Sequence, residues 1–174
     1  MTHEIERFNV GNVTVVITHD PDPLNPRKEF DNAGTMVCFH RRYALGDTHD
    51  FGTPDDFRTW RAENEGDIVA IMPLFLYDHS GLTMRTTRFD CPWDSGQVGW
   101  IYLTRQRQEE WGIADPSATL TVEVDTYDEY LQGSVYCFSI VQDGQDVDGS
   151  CGYIGLDHCR TEARHTAEGY ALQP

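Results

Sequence analysis

The 174 residues make a chain the size of one ordinary domain, 39% hydrophobic with 8 Tyr, 8 Phe and 4 Trp, too rich in aromatics for a disordered acidic tail. Its 29 acidic residues oppose 13 basic ones, of which Lys28 is the only lysine, and a net charge of −16 argues against direct binding to nucleic acid or anionic membrane, both of which need cationic groups. The longest apolar stretch, Ile68 to Leu76, is too short to span a bilayer and reads as a buried strand.

Along the chain, residues 12–18 are almost all β-branched and predict a strand, and the proline cluster at 21, 23 and 26 makes residues 20–32 a long loop. A second strand is expected over 36–42. Thr53-Pro54-Asp55-Asp56 gives an N-cap, a first-turn proline and two acids, the start of a helix that should stop near Gly66. A third strand follows over 68–77, with Pro73 marking a bulge or an edge, and Gly81 permits a tight turn into a hairpin partner over 82–87. Residues 97–103 read as another strand, after which Thr104 caps a short helix reaching Trp111. Leu120, Val124, Tyr127 and Leu131 recur on one helical face behind Asp115-Pro116-Ser117, and Gly133 sits where that helix should end. Asp143-Gly144-Gln145 is a hairpin signal between strands over 135–142 and 147–154, and residues 156–168 close the chain as a helix. The expectation is α+β: a single globular domain over 1–174 with a mainly antiparallel sheet of about six or seven strands and three or four helices.

Cysteines at 38, 91, 137, 151 and 159 are odd in number and in no Cys-x-x-Cys pattern, and Met1 to Glu6 lacks the basic start and apolar run of a signal peptide. Reduced thiols in an intracellular protein are therefore expected.

Two stretches are unusually dense in functional groups. Asp31-Asn32, Gly34 to Cys38, His40-Arg41-Arg42-Tyr43 and Leu45-Gly46-Asp47 form one, and Tyr77-Asp78-His79-Ser80-Gly81 with Cys91-Pro92-Trp93-Asp94-Ser95-Gly96-Gln97-Val98-Gly99 forms the other. With Tyr127 to Gly133, Val135-Tyr136, Asp148 to Cys151 and Gly155 to Cys159, these strings resemble a family of small hypothetical proteins of bacteriophages and mobile elements, over most of residues 20–165. The resemblance implies the context of a phage accessory protein in the host cytoplasm and carries no catalytic residue.

His40, His49 and His79, with Asp47, Asp78, Asp94 and Cys91, include every ligand type of a zinc site but no helical His-x-x-x-His spacing. Asp20 to Asn25 offers oxygens for calcium without the register of an EF-hand loop and reads as a stiff surface loop. Cys38 or Cys91 beside His40 or His79 would make a thiolate–imidazole pair oriented by Asp78 or Asp94, although a cysteine inside a strand usually packs as a small apolar group. One of Arg41 and Arg42 should pair bidentately with Asp31, Asp47 or Asp94. No Gly-rich phosphate loop occurs.

The leading expectation is a non-enzymatic accessory protein that binds a host protein, a defence component, and inhibits it. Its acidic surface, with Asp125, Asp128, Glu129, Asp143, Asp146 and Asp148, would attract a basic partner such as a nucleic-acid-binding surface. The same charge also serves solubility. The alternative is a small metal-assisted or thiol-dependent hydrolase built from His40, His79, Asp78, Cys91 and Asp94. No cofactor is expected for the first reading, and a divalent metal belongs to the second.

Overall fold

The computed structural model describes residues 4–171; Met1 to His3, part of the stretch read for a leader, lie outside the described residues. The fold is α+β, with two four-stranded antiparallel sheets and five helices among the described residues. The chain forms two compact units, residues 25–131 and the flanking residues 4–24 with 132–171. No helix among the described residues is long and apolar enough to cross a membrane.

In the flanking unit, β1 (Glu4–Val10), β2 (Val13–His19), β7 (Val135–Gln142) and β8 (Gln145–Ile154) lie side by side in that order, all antiparallel. β2 and β7 were legible from their β-branched runs. β1 was not, because its alternation of charged and apolar residues leaves every position at least partly exposed. Asp143 and Gly144, at φ 52° and 78°, make the two-residue turn that the right-handed strand twist favours. α5 (Leu156–Ala171) lays Cys159, Ala163 and Ala167 on this sheet, against Val15, Ile17, Phe138 and Ile140. Four-residue spacing of small side chains lets helix and sheet approach closely, which buries all three.

Cys137 on β7 and Cys151 on β8 are joined by a disulfide, which corrects the expectation of reduced thiols throughout. The ladder slips between Tyr136 and Phe138, so Cys137 faces the bulged pair Cys151-Gly152, and Gly152 takes φ +87° there. The bulge brings together two cysteines that strict alternation would not have paired.

The unit of residues 25–131 holds the sheet β3 (Thr35–Cys38), β6 (Ser95–Thr104), β4 (Ile68–Asp78) and β5 (Leu82–Arg85), in that spatial order. Alternation along β6 sends Ile101 and Leu103 to one face and Trp100 and Tyr102 to the other. On the first face, α4 (Pro116–Leu131) packs Leu120, Val124 and Tyr127 against Met36, Leu74 and Ile101. On the second, α2 (Pro54–Glu63) stacks Phe57 on Trp100 at 4.9 Å and packs it on Val37 and Tyr102. α2 opens with a reciprocal cap: Thr53 Oγ1 accepts from the Asp56 N–H, and the Asp56 carboxylate from the Thr53 N–H. α3 (Arg105–Trp111) starts from Thr104, as its hydroxyl predicts. Pro73 lies before the stretch of β4 that pairs with β5, beside a bulge at Leu74–Phe75, so its missing N–H leaves no ladder bond open. Gly99 is required where β6 pairs with the end of β3, because a side chain there would run into the Val37 carbonyl.

The loop expected over residues 20–32 contains a helical turn, α1 (Pro26–Glu29), capped by Asn25. It carries Arg27, whose side chain is 1% exposed. Arg27 makes a bidentate pair with Asp47 at 2.8 and 2.6 Å, a third bond to Glu123 at 2.8 Å and a fourth to the Gly34 carbonyl at 2.8 Å. Asp47 also accepts from the Met36 N–H, and Glu123 from those of Ala33 and Gly34. The sequence led to a pair of Arg41 or Arg42 with Asp31, Asp47 or Asp94; both arginines are exposed, Arg42 lies against Asp78 instead, and the buried fork on Asp47 belongs to Arg27.

Two outcomes follow. Replacing Cys137 and Cys151 by serine should lower stability in urea by about 3 kcal/mol in oxidising buffer, because a loop of this length is no longer closed in the unfolded chain, and should change far less in excess dithiothreitol. Arg27→Met keeps the aliphatic bulk but leaves two partly buried carboxylates without their cation, and should cost about 3 kcal/mol in the same measurement, far more than Arg41→Met at the surface.

Candidate functional site

The second unit gathers most of the residues singled out from the sequence at one end of its sheet. β3 stops at Cys38, four residues short of the expected end. The last bond between the two strands is from the Phe39 N–H to the Val98 carbonyl at 2.7 Å. Beyond it, His40 Nδ1 accepts from the N–H groups of Arg42 and Tyr43 at 3.2 and 3.3 Å, and this turn pulls the chain away from β6. The gap is a cleft of about 570 Å³, with His40, Arg41 and Arg42 on one wall and Ser95 to Val98 on the other. Asp78, Asp94 and Trp93 also line it.

The carboxylates are held in place. Asp78 accepts from Arg42 at 3.4 Å and from the Tyr43 hydroxyl at 3.5 Å, and its N–H donates to the Asp94 carbonyl at 2.9 Å. Asp94 faces His79 Nδ1 at 3.3 Å and Cys91 Sγ at 3.7 Å. Thus four of the five residues named for a hydrolase, Asp78, His79, Cys91 and Asp94, form one connected set, and His40 lines the same cleft. His49 is not part of it. Its Nε2 lies 2.9 Å from the Cys38 carbonyl, so the ring carries its proton there, and it packs between Phe39 and Phe51.

The chemistry of this set is restricted. Among the described contacts, Cys91 Sγ meets the Asp94 carboxylate rather than an imidazole that could serve as its base. Cys38 is buried, and burial first, with Asp47 adding to it, pushes its thiol up to about 12. Burial likewise lifts Cys159 to about 11. Metal ligation by three groups requires convergent donor atoms. Among the described residues the one such cluster is Asp20 with Cys137 and Cys151, where both sulfurs are tied up in the disulfide.

The acids named for partner binding divide between the units. Asp125 and Glu129 are exposed on α4, while Asp128 accepts from the Met84 N–H at 2.7 Å and so ties α4 to β5. Asp143, Asp146 and Asp148 are exposed on the β7–β8 hairpin of the flanking unit, and Asp148 accepts from the Tyr170 hydroxyl at 3.0 Å. Sequence reasoning missed Trp93 as a surface feature: its indole is 92% exposed, against the usual burial of so large an apolar ring.

No protein-family model, curated protein or solved structure matches this chain.

Thiol reactivity checks this description. At pH 7.5 a maleimide should label Cys91 first, and Cys38 and Cys159 only on unfolding. The raised pKa of Cys38 also sets a stability window. Its contribution is complete below pH 9, the ordinary thiol value, and is lost as pH rises toward about 12, because the unfolded chain ionises first. Urea midpoints should therefore fall between pH 9 and 11 in the native chain, and less in Cys38→Ala.

Proposed function

We propose that this chain is a non-enzymatic accessory protein of the phage and mobile-element type, which binds a basic surface on a host protein, a component of host defence, and inhibits it. The observation that carries the reading is the β7–β8 hairpin. Asp143, Asp146 and Asp148 stand exposed on it, and no lysine or arginine occurs between Arg107 and Arg160 to offset them. An uncompensated acidic edge of this kind raises the encounter rate with a cationic partner. It also favours surfaces that normally meet nucleic acid, whose phosphates it mimics in charge. The hydrolase alternative has less support, since Cys38 is buried with its thiol pushed up to about 12, Cys91 Sγ meets a carboxylate rather than an imidazole, and the one convergent three-ligand cluster among the described residues lies at the disulfide, not in the cleft.

The test is capture from host lysate followed by kinetics. Asparagine suits all three positions: at Asp143 it tolerates the positive φ, and at Asp148 it still accepts from Tyr170. The triple variant should fold, and its association rate with the captured partner should drop at least tenfold at low salt while dissociation changes little. The native chain should lose the same advantage as ionic strength rises and the Debye length shrinks below about 8 Å. An association rate indifferent to both salt and the substitutions would reduce the acidic edge to a solubility device.

A further inference from the structure

The cleft beside β6 is a second candidate site. Its lining carries two arginines, Arg41 and Arg42, and two aspartates, Asp78 and Asp94; Arg42 lies against Asp78, and the His79 ring lies against Asp94. Arg41, exposed on the cleft wall, has no hydrogen-bond or ion-pair partner among the described residues, which leaves its guanidinium free to take an anionic group. The wall opposite is backbone. Ser95, Gly96 and Gln97 pair with Tyr77, Leu76 and Phe75 of β4 on one side, and on the other side β3 has already ended. A side chain is missing at Gly96, and nothing lies within 4 Å of where its Cβ would be. Trp93 stands exposed at the rim with its ring unstacked.

From this juxtaposition we infer that the cleft binds the C-terminal end of an extended peptide, which adds a short strand to β6 at Ser95–Gln97 and sets its terminal carboxylate on Arg41. An open stretch of sheet edge recruits an extended chain through main-chain hydrogen bonds, and neighbouring pockets select side chains. Two features limit the occupant to a chain end. The open edge is three residues long, and a strand laid along it collides with Phe39 and His40, where the chain of β3 leaves the sheet. A parallel strand brings a carboxylate to that collision point, and an antiparallel one brings an ammonium; Arg41 selects the carboxylate. Trp93 then covers an apolar or aromatic side chain of the peptide, the type of contact that dominates small interfaces.

A random hexapeptide library displayed with free C termini, selected on the intact protein and followed by calorimetry and tryptophan fluorescence on the enriched peptides, tests the site. The expected result is enriched peptides that quench Trp93, a signal lost in Trp93→Phe. Their affinity should fall at least tenfold as C-terminal amides, in Arg41→Gln, and on N-methylation of a single peptide amide. Arg41 is exposed and unpaired, so Arg41→Gln should leave the urea midpoint unchanged. Enriched peptides that bind equally well as amides, or equally well to Arg41→Gln, would overturn the assignment, as would a library with no enrichment over that variant. Adenosine triphosphate binding through Arg41 and Trp93 where peptides fail would also overturn it and make the cleft a nucleotide site. The acidic hairpin is not involved, so the triple asparagine variant should bind the peptides as the native chain does.

Discussion

The central constraint on the second unit is that one buried guanidinium must satisfy two carboxylates that are themselves only partly exposed. Arg27 draws in Asp47 from the loop after β3 and Glu123 from the middle of α4, and each carboxylate then uses its remaining lone pairs on backbone N–H groups of residues 33–36. Burial pulls the arginine's pKa down, but the two carboxylates outweigh that and hold it above its ordinary value. Such a cluster contributes little net stability over an apolar equivalent, yet it tolerates no partial version, because any member left alone is an uncompensated buried charge. Its effect is therefore on register. It fixes where the entry to β3 meets α4, and with the Gly46 N–H bond to the Tyr127 hydroxyl it fixes the return of the chain at residues 45–47. The segment bracketed by those two anchors is the one that departs from β6 and opens the cleft.

How much of this could be read from the residues depended on range. Local signals were faithful: the Thr53 cap, the β-branched run of β2, the Asp143-Gly144 turn and the apolar stripe of α4 all lie where their neighbours in sequence dictate. The end of β3 was misread because residues 36–42 have strand character throughout, and what stops the strand is a side chain, His40, accepting from the backbone two and three residues on. Arg27 was invisible for a different reason. It sits in a proline-rich stretch that looks like solvent-exposed loop, and its partners are 20 and 96 residues away. The disulfide needed a bulge that only the folded ladder supplies.

Several residues that the sequence put in one candidate site are brought together by strand pairing. Asp78, His79, Cys91 and Asp94 meet because β4 and β6 pair, and pairing brings the residues after Tyr77 next to those before Ser95. Residue type alone said less about chemistry. A histidine beside an aspartate and a cysteine beside an aspartate both suggest catalysis when read as a string. In space the imidazole and the thiol share the same carboxylate rather than activating one another.

The pairing of β2 with β7 carries a kinetic consequence. His19 and Tyr136 are opposite one another in the ladder although more than a hundred residues separate them in the chain. The hairpins β1–β2 and β7–β8 can each close quickly by themselves, but joining them means closing a loop whose length-dependent entropy alone is about 4 kcal/mol for a flexible chain. That penalty shrinks if the intervening segment has already collapsed into its own unit. On the ribosome β2 emerges long before β7, so the early hairpin must wait with an unsatisfied edge while the middle of the protein folds. The flanking sheet is thus the last part of the molecule to be completed and the part whose assembly a slow or faulty middle segment would delay.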